Sequence, residues 1–286
     1  MVKIRRIKKK RKNLAQRRLR LVVLMTALAI LTTNIIQCAG NFTSQAVGTV
    51  DPMAMPGNFT TQIESTEIVF GVPPAYQGKV FNKVESDGKE KLVALTFDDG
   101  PWINTTTEVL EILRKNEIKA TFFVVGQQLQ KYPQIAKQVI AEGHAIANHT
   151  WHHWYRRMDE ATAAKEIDDT ANLIYKTTGV KTNYFRPPGG VLNNGLVAYA
   201  QKRDYAIAMW SVDSGDSRRR RPTPETLAKN VLKGINPGGI VLMHDGGGNH
   251  EGTVQALPQI IEGLRQQGYK FVTLPELLAS SQSDNQ

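Results

Sequence analysis

The chain has 286 residues, of which 41% are hydrophobic and 22% charged, enough for one globular domain with appendages and incompatible with a wholly disordered polymer. Its net charge of +10 is confined to one end: residues 1–20 hold 11 Lys and Arg and no acid, leaving 25 basic against 26 acidic residues in the remainder. The body is therefore near neutral, which excludes nucleic acid as a partner, and the single cysteine, Cys38, excludes an internal disulfide.

Residues 1–20 read as a basic cytoplasmic tail. The sixteen residues Leu21 to Ile36 carry no charge, and the apolar stretch extends to Gly40. Residues 21–40 are thus expected to be an uncleaved signal anchor, which places a single-pass protein in the cell membrane with its domain outside the cytoplasm. The competing reading is a signal peptide cleaved near Ala39 and Gly40, which would make the protein secreted; Thr32, Thr33 and Asn34 weaken the span. A lipid-modified Cys38 is disfavoured by the bulk of Gln37 before it. Residues 41–88, rich in Gly, Pro, Ser, Thr and Asn without periodicity, read as a stalk or linker, in which Val69, Phe70, Val72, Tyr76, Val80 and Phe81 have the character of an irregular arm lying on a domain surface.

From Lys91 apolar, strand-like runs alternate with helical patterns. Strands are predicted at 91–97, 119–125, 144–148, 183–186, 205–211, 238–243 and 270–273. Helix signals lie between them: a Thr105/Glu108 capping box, Pro133 opening a helix that Gly143 closes, Asp159 capping a long one that ends at Gly179, and Thr223-Pro224 starting another. Pro258 is expected to delay or kink the helix that follows. Strands as apolar as Lys119 to Val125 suit a parallel sheet buried on both faces. The expected fold is α/β: a distorted, incomplete (β/α) barrel of about seven parallel strands with outer helices over residues 89–280, with an open doubly wound sheet as the alternative.

Five of these runs end in residues that bind metals or move protons: Thr96-Phe97-Asp98-Asp99-Gly100-Pro101, His149-Thr150-Trp151-His152-His153, Arg186-Pro187-Pro188-Gly189-Gly190, Asp213-Ser214-Gly215-Asp216 and Leu242-Met243-His244-Asp245. In a barrel or wound sheet the C-terminal strand ends open onto one face, so these segments converge. His149 and His153 have the spacing of two ligands for one divalent ion, and a carboxylate from Asp98-Asp99 completes a common catalytic set. Neighbouring side chains point apart, so one aspartate can ligate while the other stays free as a base. His244 suits a proton donor if Asp216 or Asp213 orients it, and Arg186 suits a partner for Asp98. The bland readings of these residues are a turn at Asp98-Asp99, an aromatic cluster at His149–His153 and a structural His244. Structural roles are expected for His144 and His250. Arg218 to Arg221 read as a solvated run, or else as a rim patch that meets an acidic substrate.

In order and in form, the five segments resemble the motifs of the NodB homology domain of polysaccharide deacetylases, carbohydrate esterase family 4. The resemblance, over about residues 89–280, implies a deformed parallel barrel and a hydrolase that removes N-acetyl groups from an extracytoplasmic polysaccharide, with N-acetylglucosamine of peptidoglycan as the favoured substrate. It further implies Asp98 as general base and Asp99, His149 and His153 as ligands of one divalent ion, zinc first, with cobalt, nickel or manganese as alternatives. His244 would be the general acid, Arg186 would tether Asp98, Asp216 would tether His244, the Gly189 N–H would bind the oxyanion and Leu242 would wall the acetyl pocket. The expected partners are the acetylated polysaccharide and, through the anchor, the membrane; the expected state is a monomer. The chain departs from the pattern twice: Gly189 stands where the family usually has Tyr, and Ser217 where it often has the Trp that helps wall the acetyl pocket. Chitooligosaccharide, exopolysaccharide or xylan O-acetyl substrates are the alternatives, as is an inactive carbohydrate-binding module on the same fold.

Overall fold

A computed structural model describes residues 68–85 and 89–281, all within the unit spanning Ile63–Gln286. One expectation is corrected at once. Among the described residues no helix is long and apolar enough to cross a membrane, which overturns the single-pass placement and the membrane as a partner; residues 1–40, where the tail and anchor are expected, lie outside the described residues. The longest described helix, Glu160–Thr178, is amphipathic, with Lys165, Asp168, Asp169 and Lys176 interrupting any apolar run.

The strands are β1 (Ile68–Phe70), β2 (Val80–Phe81), β3 (Lys91–Asp98), β4 (Thr121–Val124), β5 (Ala145–Asn148), β6 (Val180–Thr182), β7 (Tyr184–Phe185), β8 (Ala206–Ala208), β9 (Val212–Asp213), β10 (Gly239–His244) and β11 (Tyr269–Phe271). The helices are α1 (Thr105–Lys115), α2 (Gly126–Lys131), α3 (Pro133–Ala141), α4 (Glu160–Thr178), α5 (Leu196–Lys202), α6 (Pro224–Gly234), α7 (Glu251–Gln266) and α8 (Leu274–Ser280). The main sheet runs β2-β8-β7-β5-β4-β3-β10-β9, with β11 also on β3, and its strand pairs are parallel. Strands β3, β4, β5 and β10 are buried almost throughout, as expected of a parallel sheet covered on both faces, and the whole is the expected distorted, incomplete barrel.

Local signals explain several helix ends. The Asp159 carboxylate accepts the Thr162 N–H at 2.8 Å and Gly179 closes α4 at φ 75°. Thr223 caps α6, with Pro224 in its first turn. The Thr105/Glu108 capping box does not form. Thr105 is the first residue of α1 and Asn104 occupies the cap without a side-chain bond, while Thr106 Oγ1 accepts the Trp102 N–H and donates to Asp245. Nor does Pro258 delay α7, which begins at Glu251; the proline sits on its solvent face, where an unpaired carbonyl is tolerated.

The arm before β3 packs rather than dangles. Strand β1 pairs with β6, β2 pairs with β8, and Phe70, Val72, Tyr76 and Phe81 lie against the core. The arm then crosses to β10, where the Val84 N–H donates to the Gly238 carbonyl at 2.9 Å. Gly238 has φ +77°, and a Cβ there would stand 1.8 Å from the Val84 carbonyl oxygen. Gly268 has φ +84° but nothing within 4 Å. Gly238→Ala should therefore cost about 2–4 kcal/mol, the left-handed penalty plus a backbone collision, and Gly268→Ala only about 1–2 kcal/mol. Urea unfolding of the two variants checks this; equal losses would mean that the arm does not press on β10.

Candidate active site

In the pairing of β3 with β10, Asp98 is register partner to His244, and Arg186 follows β7 directly. Sheet register alone thus gathers residues from distant parts of the chain. The loop after β5 is held from beneath. Asn148 Nδ2 donates to the Ile167 carbonyl at 2.8 Å while its Oδ1 accepts the Thr150 N–H at 2.9 Å. Buried Glu166 on α4 accepts the backbone N–H groups of Trp151 (3.1 Å) and His152 (2.8 Å) and pairs with the His152 ring. Three non-glycine residues here have left-handed backbone: Asp99 (φ 75°), Thr150 (φ 68°) and His153 (φ 60°). Such strain persists where the surroundings over-determine it, and it clusters at functional sites.

His149 donates from Nδ1 to the Arg186 carbonyl at 2.7 Å, which turns its Nε2 toward the aspartates. That Nε2 lies 3.4 Å from Asp99 Oδ1, and His153 Nε2 lies 3.0 Å from the same oxygen. Yet Asp99 Oδ1 is buried and accepts no aligned hydrogen bond. Electron-rich atoms of Asp99, His149 and His153 are crowded within 4.8 Å of one another and are not aimed at one another, which is how a ligand set looks. Two imidazoles and one carboxylate suit zinc or a related divalent ion. Burial works against the charge on Asp99, but the two imidazoles more than offset it and hold the carboxyl below its ordinary range. Burial likewise opposes protonation of His149, and Asp98 and Asp99 outweigh it and raise its pKa.

Asp98 is oriented differently. Its Oδ1 accepts from Arg186 Nη1 at 2.6 Å, and its Oδ2 stands 3.7 Å from His149 Nε2. Arg186 is fully buried and spends its donors on four acceptors: Asp98, Thr96 Oγ1 (2.9 Å), the Ala208 carbonyl (2.9 Å) and the Met209 carbonyl (3.0 Å), while its plane lies 4.0 Å over the Phe123 ring.

On the other side of Asp98, His244 Nδ1 donates to Asp216 Oδ1 at 2.8 Å. The second oxygen of Asp216 accepts the His244 N–H at 2.7 Å and the Thr253 hydroxyl at 2.8 Å. Of the two candidate orienters, Asp216 takes the role, whereas Asp213 turns back to accept the Gly215 N–H at 2.7 Å. Burial opposes charge on His244, but Asp216 outweighs it, with Asp98 and Asp99 adding, and the imidazole is pushed up to about 9. His250 stacks on His244 at 5.4 Å.

Gly189 follows Arg186 in a short turn, with φ 60°, and Leu242 is buried in β10 beside Asp213 and Thr96. Ser217 and Arg218 to Arg221 are exposed. Neither Trp151 nor Trp154 replaces the ring missing at Ser217: Trp151 packs over Gly126, and Trp154 is engaged by His152 and Arg156. His144 is structural, buried against Phe122 and accepting the Ala120 N–H. Two residues with roles at the site were not assigned from sequence. Glu166 props the histidine loop, and Asp245, fully buried behind Gly100, accepts from Thr106 Oγ1 at 2.6 Å with a carboxyl that burial pushes up to about 7. Asp245 adjoins His244 in sequence, the one signal that could have marked it.

Comparison with known proteins gives the family. Residues 85–208 match the polysaccharide deacetylase family model. A peptidoglycan-N-acetylglucosamine deacetylase of Bacillus cereus (strain ATCC 14579) is 38% identical over 68% of this chain and 91% of that protein. The solved structure of the Bc1960 peptidoglycan N-acetylglucosamine deacetylase has a TM-score of 0.65 at 34% identity, covering 70% of this chain and 92% of that one. BA3943 of Bacillus anthracis, described as a CE4 family pseudoenzyme, has a TM-score of 0.64 at 29% identity over 71% and 70% of the two chains. On its fold and on its similarity to these proteins, the chain belongs to the polysaccharide deacetylase family.

Proposed function

We propose that this hydrolase removes the N-acetyl group from N-acetylglucosamine in peptidoglycan, using one divalent metal ion, zinc in the first instance. The observation that carries the reading is the different setting of the adjacent aspartates: Asp99 lies against two imidazoles, at 3.4 and 3.0 Å, whereas Asp98 is bound by Arg186 and comes within 3.7 Å of one of them. Asp99, His149 and His153 would hold the ion, which when bound polarises a carbonyl and acidifies water. Asp98 stands ready to take the proton of the attacking water. The Gly189 N–H is the donor proposed for the oxygen that gains charge as the amide carbon becomes tetrahedral. His244, charged through Asp216, returns a proton to the departing amine. Leu242 lines the place of the acetyl methyl. BA3943, a CE4 family pseudoenzyme, is a case of this fold without activity; in this chain Asp98, Asp99, His149, His153 and His244 are all present.

The test is acetate release from peptidoglycan, β-1,4-linked N-acetylglucosamine oligomers and acetylated xylan, with zinc or cobalt supplied. Release from peptidoglycan is expected. Release from xylan alone would overturn the N-deacetylase reading, and no release from any of them would support an inactive binding module.

A pH profile tests the donor. A raised pKa keeps His244 protonated below about 9, so the rate should fall as pH rises through that value. The stability that the same pair contributes is fully present below the ordinary histidine pKa of about 6.5 and is lost on the same rise. Asp216→Asn removes the main cause and should move the alkaline limb down by one or more units. An unmoved limb would assign it to another group.

A further inference from the structure

Gly189 and Gly190 present bare backbone close to the histidine loop. A Cβ placed on Gly189 would stand 2.5 Å from Cε1 and 3.0 Å from Cδ1 of Tyr155; one on Gly190 would stand 2.9 Å from Cη2 of Trp210 and 3.0 Å from Cε of Met209. The strip Gly189-Gly190 is therefore walled by rings that come from other parts of the chain, and Tyr155 fills the volume that a side chain at 189 would take. The same ring sits edge-on to His153, with centroids 5.1 Å apart and planes at 81°. Contact with both Gly189 and His153 places Tyr155 between the proposed oxyanion donor and a proposed metal ligand.

Tyr155 is nevertheless 57% exposed. Burial does not account for its position, and neither does a loose backbone, since the loop before it is held by Asn148, Thr150 and Glu166. Its neighbour Trp154 is already engaged, stacked on His152 at 4.1 Å and with the Arg156 guanidinium 4.0 Å from its ring. Among the aromatic side chains of this loop, Tyr155 is the most exposed, the others being half-buried. A β-linked pyranose carries its axial C–H bonds on its flat faces, and an aromatic face, negative at its centre, attracts such edges.

We propose that Tyr155 is a substrate-binding residue: its exposed face stacks on a sugar ring of the glycan chain and adds affinity beside Gly189 and the Asp99–His149–His153 cluster. The inference rests on the glycan reading above and deepens it. A ring contact of this kind is worth about tenfold in affinity.

The test titrates a β-1,4-linked N-acetylglucosamine pentamer into the full chain by calorimetry, with metal content measured in parallel. Tyr155→Ala should weaken binding about tenfold and raise KM while leaving kcat and metal content near wild type; Tyr155→Phe should bind as the wild type does. Equal Kd for wild type and Tyr155→Ala, an equal loss in Tyr155→Phe, a fall in kcat at constant KM, or no binding by the wild type would each overturn the proposal. Weaker binding by Tyr155→Ala in a protein that releases no acetate would uphold the contact and reject the deacetylase reading instead. The placement of the ring has its own check: Gly189→Ala should lower the melting temperature more in the wild type than in a Tyr155→Ala background, and equal shifts would remove the ring from the site.

Discussion

Asp98→Asn is expected to lower kcat by about 10²–10⁴ while the protein keeps its metal, and Asp99→Asn to lose metal affinity by about 10–100-fold together with activity. The two residues are adjacent and both carboxylates, so the difference rests on orientation alone. Asp99 reaches toward the imidazoles of His149 and His153 at 3.4 and 3.0 Å, where an amide oxygen is a poorer and uncharged ligand. Asp98 gives one oxygen to Arg186 at 2.6 Å and leaves the other toward the cleft, so its amide can keep the contact with Arg186 but cannot take a proton. Metal content after dialysis separates the cases; an equal fall in both variants would show that base and ligand have been assigned wrongly.

Arg186→Met should be the most destabilising single change at the site, by about 3–5 kcal/mol, because it leaves the buried Asp98 carboxylate and three other acceptors without their donor. Arg186→Lys should recover only part of the loss, since one ammonium cannot reach acceptors spread around a planar fork. In a double variant with Asp98→Asn the stranded charge is gone, so the loss should be smaller than the sum of the single losses. Urea midpoints measure all of these. Strict additivity would show that the ion pair carries no coupling and that Arg186 acts through its other hydrogen bonds and its packing on Phe123.

Seven strands were legible in the sequence, four of them (β3, β4, β5 and β10) as runs of four or more buried residues, and sheet register then brings their ends together without further information. What was not legible depended on partners remote in the chain. Strands β6 and β9 are too short to show a period and exist because β1 and β10 lie beside them. The Thr105/Glu108 pattern fails because the helix starts one residue earlier than a Thr105 cap requires: Thr105 is its first residue and Asn104 the cap. Glu166 looks like any polar helix residue until the loop above it aims two N–H groups at its carboxylate. The site residues themselves were readable as chemical types; which aspartate faced which partner was a matter of backbone twist, fixed by the left-handed residue at 99.

Strands β8 and β9 are separated only by Met209, Trp210 and Ser211, yet β8 lies against β7 and β9 against β10. The carbonyls of Ala208 and Met209 grip Arg186, which holds Asp98, and a few residues further on Asp216 holds His244. The groups proposed to accept and to deliver the proton thus hang from one short span of chain. That span works as a gauge block: lengthening or shortening it by one residue would shift one proton-handling group relative to the other, even with every reacting side chain left in place.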